Sequence, residues 1–85
     1  MSTQPLTEAL ADSLSPLEKA MLEVESRTWQ HPGPKERMIR EHLGLNPVSY
    51  YQQLNQLIDR AAALEAAPGT VNRLRRIREV RRNNR

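Results

Sequence analysis

Proline-containing breaks cut this chain into short segments and constrain its fold more than any other feature. Proline fixes φ and lacks a backbone N–H, so it is tolerated in the first turn of a helix but not inside helices or central strands. Between the breaks, apolar residues recur at helical spacing, and no segment alternates with the period of a strand. The chain is therefore predicted to be all-α. The breaks are Ser15-Pro16, His31-Pro32-Gly33-Pro34, Asn46-Pro47 and Pro68-Gly69.

The first predicted helix starts at the first of these breaks. Ser15 can cap it, and Glu18, three residues on, can reach back to the Ser15 backbone, which is the pattern of a capping box. The helix is expected to end near Thr28 or Trp29, and Trp29 to fill the core with its indole N–H at the edge. The expected apolar stripe is Leu17, Ala20, Met21 and Val24.

Two further helices are predicted over residues 35–43 and 47–60, with a three-residue turn between them. Gly44 suits a left-handed position at the end of the first, and Asn46 can cap the second, with proline in its first turn. Both helices have a stripe of apolar residues that indicates one buried face. The expected inward positions are Met38, Ile39, Leu43, Tyr50, Leu54, Leu57 and Ile58.

A fourth helix is expected after an alanine-rich connection over residues 61–69, with Thr70 as its cap. Residues 1–13 show little periodicity and are expected to be disordered, and residues 83–85 to fray. The domain is thus predicted to span residues 14–82. In the fourth helix the positions expected to point inward are Val71, Leu74, Ile77 and Val80.

Length and composition exclude several classes of protein. The 85 residues leave room for one domain, and the absence of cysteine excludes a disulfide scaffold and a thiol nucleophile. His31 and His42 lack the spacing of metal ligands, and four short helices rarely enclose a substrate pocket. No enzyme activity, metal or cofactor is therefore predicted. No apolar run approaches the roughly 20 residues of a membrane span, so a cytoplasmic location is expected.

Positive charge is concentrated in the last third of the chain. Residues 1–34 carry two basic and five acidic residues, whereas residues 61–85 carry seven arginines and two glutamates. Such a basic segment attracts polyanions, although solvated arginine-rich helix faces are also common. Three roles stay open for it: contact with DNA phosphates, which we favour, binding of an acidic protein, or a soluble cover over the core.

The segment from Ile39 to Leu54 resembles the helix-turn-helix of bacterial regulators and of the promoter-reading region of sigma factors. The family pattern has glycine at the turn and apolar residues at five fixed positions that hold the two helices together. One departure is Arg40, where a small residue is usual, so the crossing is expected to be wider or the Arg40 stem to point outward. The six matching positions are Ile39, Leu43, Gly44, Leu45, Tyr50 and Leu54.

This resemblance implies that the third helix enters the major groove of DNA. Glutamine and asparagine can pair with adenine, valine can touch a thymine methyl, and serine or tyrosine can reach phosphate. The alternative is that this helix only packs in a small bundle with a solvated polar face. The candidate base-contacting residues are Pro47, Val48, Ser49, Tyr51, Gln52, Asn55 and Gln56. The candidate phosphate-contacting residues are Lys35, Arg73, Arg75, Arg76, Arg78, Arg81 and Arg82.

Over residues 15–82 the chain also resembles a group of short actinobacterial proteins catalogued as a domain of unknown function. The resemblance implies a helix-turn-helix fold and an actinobacterial origin, but no activity. The residues that carry it are Leu14-Ser15 with Glu18, Trp29, Gly33-Pro34-Lys35-Glu36, Ile39-Arg40, Tyr50-Tyr51-Gln52, Leu54-Asn55, Leu57-Ile58-Asp59 and Arg73-Leu74-Arg75-Arg76.

Together these patterns predict a three-helix helix-turn-helix core with a basic fourth helix, acting in the nucleoid as a transcriptional regulator or nucleoid-associated protein on double-stranded DNA. A single helix-turn-helix makes few contacts, so a homodimer or a partner is expected. The alternative is an adapter that binds RNA polymerase, a sigma factor or another regulator. An adapter would depend on Trp29 and the acidic first helix more than on Gln52 and Asn55.

Overall fold

The computed structural model describes residues 13–84, and every regular element among them is an α-helix, which confirms the all-α prediction. Nearly all of the segment expected to be disordered, residues 1–12, lies outside the described residues, as does Arg85 at the end expected to fray. The helices are α1 (Pro16–Ser26), α2 (Pro32–Leu43), α3 (Pro47–Leu57), α4 (Ala61–Ala66) and α5 (Pro68–Asn83).

Side-chain caps fix the starts of α1 and α3 at the predicted residues. The Glu18 backbone N–H donates to Ser15 Oγ at 3.1 Å, and the Ser15 N–H donates to Glu18 Oε1 at 2.8 Å, so the capping box is confirmed. At α3 the Ser49 N–H donates to Asn46 Oδ1 at 2.8 Å. These bonds satisfy backbone donors that lack partners in the first turn of a helix.

α2 ends at Leu43 as predicted, but three other boundaries of the first three helices differ from the predictions. α1 ends at Ser26 rather than near residue 28, and α2 begins at Pro32, three residues before the expected start. α3 ends at Leu57 instead of Arg60, because the chain turns there, with the Arg60 N–H donating to Leu57 O at 3.0 Å.

The alanine-rich connection is itself part of the helical structure. Residues 61–66 form α4, and α5 begins at Pro68, so the prediction that Thr70 caps this helix is wrong. Proline fits the first turn because its φ is already helical and its missing N–H has no partner to lose there. α5 then extends through Asn83, one residue past its expected end.

The core lies where α1, α2, α3, α4 and the first half of α5 meet. All four inward positions predicted for α3 are buried, and so is Val71 of α5. Ile77 and Val80 were expected to point inward, but they are 41% and 58% exposed because the second half of α5 extends beyond the core. Trp29 packs against the core and donates from Nε1 to Val24 O at 2.8 Å. The buried apolar residues are Met21, Leu22, Val24, Ile39, Tyr50, Leu54, Leu57, Ile58, Ala63 and Val71.

Candidate nucleic-acid interface

The turn between α2 and α3 sets the direction of α3. Gly44 has φ 69° and ψ 24°, a left-handed conformation that residues with a Cβ rarely adopt. The Leu45 N–H then donates to Ile39 O at 3.3 Å, and the Leu45 side chain packs against the core. Arg40 is exposed, so it does not fill the space between the two helices. This tight connection buries one face of α3 and leaves the opposite face exposed to solvent.

The free face of α3 carries the predicted base-contacting residues. Val48 is 67% exposed and Tyr51 46% exposed. Pro47 and Ser49 are half-buried, since they form the first turn of the helix. Three amide side chains share this exposed face: Gln52, Asn55 and Gln56.

A groove of about 1000 Å³ separates this face of α3 from α5. One wall carries residues of α3 that the sequence singles out as base-contacting, and the other carries apolar and basic residues of α5. The sequence pattern gives no sign of this groove, because it depends on how the second half of α5 lies beside α3. The residues that line it are Glu25, Lys35, Pro47, Val48, Tyr51, Gln52, Leu54, Asn55, Ile58, Leu74, Ile77, Arg78, Arg81 and Arg82.

Arg78 joins α5 to the end of α3. Its Nη1 donates to Asn55 Oδ1 at 2.9 Å, and its Nη2 lies 2.7 Å from Asp59 Oδ1. The bond between Arg78 and Asp59 holds the pKa of Asp59 below its ordinary value and raises the pKa of Arg78. Two predicted DNA-contacting residues, Asn55 and Arg78, are therefore bound to each other.

Lys35 belongs to a buried polar cluster at the head of the groove. The Lys35 Nζ lies 3.0 Å from Oε2 of Glu25. The Tyr50 hydroxyl donates a hydrogen bond to the same oxygen at 2.5 Å. The Lys35 ammonium also lies 5.4 Å from the centre of the Tyr51 ring, within range of a cation–π interaction. Burial raises the pKa of Tyr50, and the bond to Glu25 raises it further.

Glu25 is absent from the apolar stripe predicted for α1, yet it is only 5% exposed. A signal was present, because Glu25 lies four residues after Met21, which puts both on one face of α1. Its carbonyl oxygen also accepts a hydrogen bond from Arg73 Nη2 of α5. Glu25 thus connects α1 to α2, α3 and α5.

The seven candidate phosphate-contacting residues fall into two groups. Four donate to groups within the protein: Lys35 and Arg78 as described above, Arg73 to the Glu25 carbonyl, and Arg75 Nε to Ile58 O at 2.6 Å. The other three form no hydrogen bond or ion pair within residues 13–84, and all are exposed. They are Arg76, Arg81 and Arg82.

Nothing among residues 13–84 brings three potential metal ligands together. The same part of the chain contains no helix that is both long and apolar enough to cross a membrane.

Comparisons with known proteins give one match. A search of curated proteins and a search of solved structures found none. A family model matches residues 13–85, which include all five helices and the groove between α3 and α5. The chain therefore belongs to the family described as protein of unknown function (DUF3263).

Proposed function

We propose that this protein binds double-stranded DNA as a transcriptional regulator or nucleoid-associated protein. In this proposal α1, α2 and α3 form a helix-turn-helix core, α3 enters the major groove, and the basic helix α5 contacts phosphates. The single observation that carries the proposal is that two arginines of α5 with no hydrogen bond or ion pair among the described residues, Arg81 and Arg82, line the groove beside the exposed polar face of α3. Exposed cations outside ion pairs favour a polyanion.

Phosphate contacts supply the affinity in this proposal, because α3 presents no basic side chain to the groove. In this proposal Arg81 and Arg82, which line the groove, contact phosphates beside the bound helix, and Arg76, on the same helix outside the groove, contacts a phosphate further along the backbone. Arg78 becomes a fourth contact if it exchanges Asp59 for a phosphate. Its Nε is buried without a hydrogen-bond partner among the described residues, which costs about 1–3 kcal/mol and offsets part of what its other bonds contribute.

Base contacts supply the sequence preference. Gln52 is exposed and has no hydrogen bond to the described part of the protein, so it is ready to pair with adenine. Asn55 becomes available for the same pairing when Arg78 leaves it. Val48 adds an apolar contact suited to a thymine methyl.

Fluorescence anisotropy with random duplex DNA across a salt series tests the phosphate contacts. We expect affinity to fall steeply with salt, and Arg76→Gln and Arg81→Gln each to reduce the slope of log K against log salt by about 0.9. Lys19→Gln, at an exposed position of α1, is the control and leaves the slope unchanged. Absence of binding at low salt would refute the proposal.

Selection of preferred sequences from a random DNA pool tests the base contacts. Gln52→Ala is expected to relax the preference at one or two positions, at a cost of about 1–3 kcal/mol for each lost bidentate pair. Gln53→Ala is the matched control, since Gln53 is exposed on the same helix but does not line the groove. If both variants select the same sequences as the wild type, α3 does not specify the site through Gln52.

A further inference from the structure

The groove between α3 and α5 gathers exposed apolar side chains. Within residues 13–84 four large hydrophobic residues are exposed, and three of them, Val48, Tyr51 and Ile77, line this groove. Single exposed hydrophobic residues need no explanation, but a cluster of them in one concave surface marks an interaction site. Three further apolar residues line the groove: Leu54, Ile58 and Leu74.

The charge of the groove is positive and largely uncompensated. Arg81 and Arg82 line it without an ion pair to any described residue. The one carboxylate among the lining residues is Glu25, which is buried and already paired with Lys35. An occupant of this groove therefore needs both apolar side chains and acidic groups.

DNA supplies the acidic groups but few of the apolar contacts. In the major groove the thymine methyl is the main apolar contact, so a duplex leaves side chains such as Ile77 and Leu74 without an apolar partner. A second copy of the chain fits poorly as well, because pairing through α5 brings arginines together. The exposed carboxylates of α1 do not compensate, since Glu18 is bound to Arg60 and Glu23 to Arg27.

We propose that the groove binds an acidic amphipathic helix of a partner protein. Apolar anchors at positions i, i+3, i+4 and i+7 of such a helix would contact Val48, Tyr51 and Ile77, as in other helix-in-groove complexes. Aspartates or glutamates beside the anchors would pair with Arg81 and Arg82. Binding of such a helix does not require that the protein also bind DNA.

A designed peptide tests the inference on the full chain. The probe is a fluorescein-labelled peptide of about 18 residues, roughly 27 Å long as a helix, with leucines on one face and glutamates on both flanks. Its control has the same composition with the leucines scrambled around the helix. Anisotropy titrations are expected to give at least tenfold tighter binding for the amphipathic peptide, and equal binding of both would overturn the proposal.

Paired variants on α5 locate the site. Ile77→Ser is expected to weaken peptide binding about tenfold, the loss typical of an apolar anchor. Val80→Ser is the matched control, because Val80 is exposed on the same helix but does not line the groove. Both positions are exposed, so the fold is expected to survive, and circular dichroism checks this. Equal losses in the two variants would place the site outside the groove.

A second pair tests the charges and separates this inference from the proposed DNA binding. The double variant Arg81→Gln, Arg82→Gln is expected to weaken binding of the acidic peptide about tenfold, whereas Arg76→Gln, outside the groove, leaves it unchanged. For duplex DNA, Arg76→Gln lowers the salt slope while Ile77→Ser does not change affinity. Peptide binding without DNA binding would support this inference and refute the other proposal, and the reverse result would do the opposite.

Discussion

Glu25 shows how one buried charge can organise a small domain. Removing a carboxylate from water is costly unless it is paired and hydrogen-bonded. Lys35 from α2 and the hydroxyl of Tyr50 from α3 both reach this carboxylate, and Arg73 from α5 reaches its backbone carbonyl. The position of each of these three helices relative to α1 therefore depends on this residue.

We expect Lys35→Met to lower the free energy of unfolding by about 3 kcal/mol, because it leaves the Glu25 charge buried without its counter-charge. Urea denaturation followed by circular dichroism measures this. Adding Glu25→Gln to that variant is expected to recover most of the loss, since the neutral amide removes the buried charge and its oxygen still accepts the hydrogen bond from the Tyr50 hydroxyl. Lys19→Met at an exposed site of α1 is the control. Wild-type stability of Lys35→Met alone would contradict the role assigned to the pair.

At the scale of residues, spacing predicted burial better than it predicted the partners of charged groups. The positions of Tyr50, Leu54, Leu57 and Ile58 repeat at helical intervals, and all four are buried. Lys35 was assigned to phosphate, yet its ammonium is paired with Glu25. The charge of a residue does not reveal which way its side chain points, because a long side chain can turn toward a buried partner on another helix.

At the scale of elements, α1 depends on the charge of Glu18. The Ser15 backbone N–H donates to this carboxylate, and Arg60 lies 2.6 Å from it, so its pKa is lowered from the ordinary 4.5. A carboxyl group whose pKa is lower in the folded than in the unfolded state stabilises the fold at pH values above its unfolded-state pKa. This stabilisation is lost as the pH falls through the folded-state pKa.

We therefore expect Glu18→Gln to lower stability by about 1 kcal/mol at pH 7, the difference between a charged and a neutral hydrogen-bond acceptor. The difference between variant and wild type should shrink as the pH falls below 4.5. Thermal unfolding at pH 7 and pH 3 measures it. Glu65→Gln, at an exposed position of α4, is the control. A difference of equal size at both pH values would show that the charge of Glu18 does not matter.

Helix boundaries that depend on local hydrogen bonds were easier to predict than boundaries that depend on tertiary contacts. The side chains of Ser15 and Asn46 each accept a hydrogen bond from the backbone N–H three residues further on, so the signal is local in sequence. The end of α3 instead depends on tertiary contacts: the carbonyl of Ile58, just past the helix, accepts a hydrogen bond from Arg75 of α5. No pattern within α3 could specify a bond to Arg75, which lies 17 residues after Ile58 in the chain.

At the scale of the whole molecule, the two proposed partners use the same surface. Val48 and Gln52 on α3, with Arg81 on α5, line the groove and also belong to the proposed DNA contacts. The groove could not be predicted from the sequence, because Ile77 was expected in the core and no local pattern gives the position of α5 relative to α3. The packing of α5 beside α3 brings the apolar and basic residues together.

If both proposals hold, the acidic amphipathic peptide and duplex DNA compete for the protein. An acidic helix in the groove occupies Arg81 and Arg82 and covers the exposed face of α3, so the duplex loses base and phosphate contacts at once. We expect the amphipathic peptide to displace labelled duplex in an anisotropy assay, with its scrambled control at least tenfold less effective. In Ile77→Ser the peptide should displace DNA about tenfold less effectively, because only the peptide uses this side chain. A ternary complex of protein, peptide and duplex would show that the two surfaces are separate.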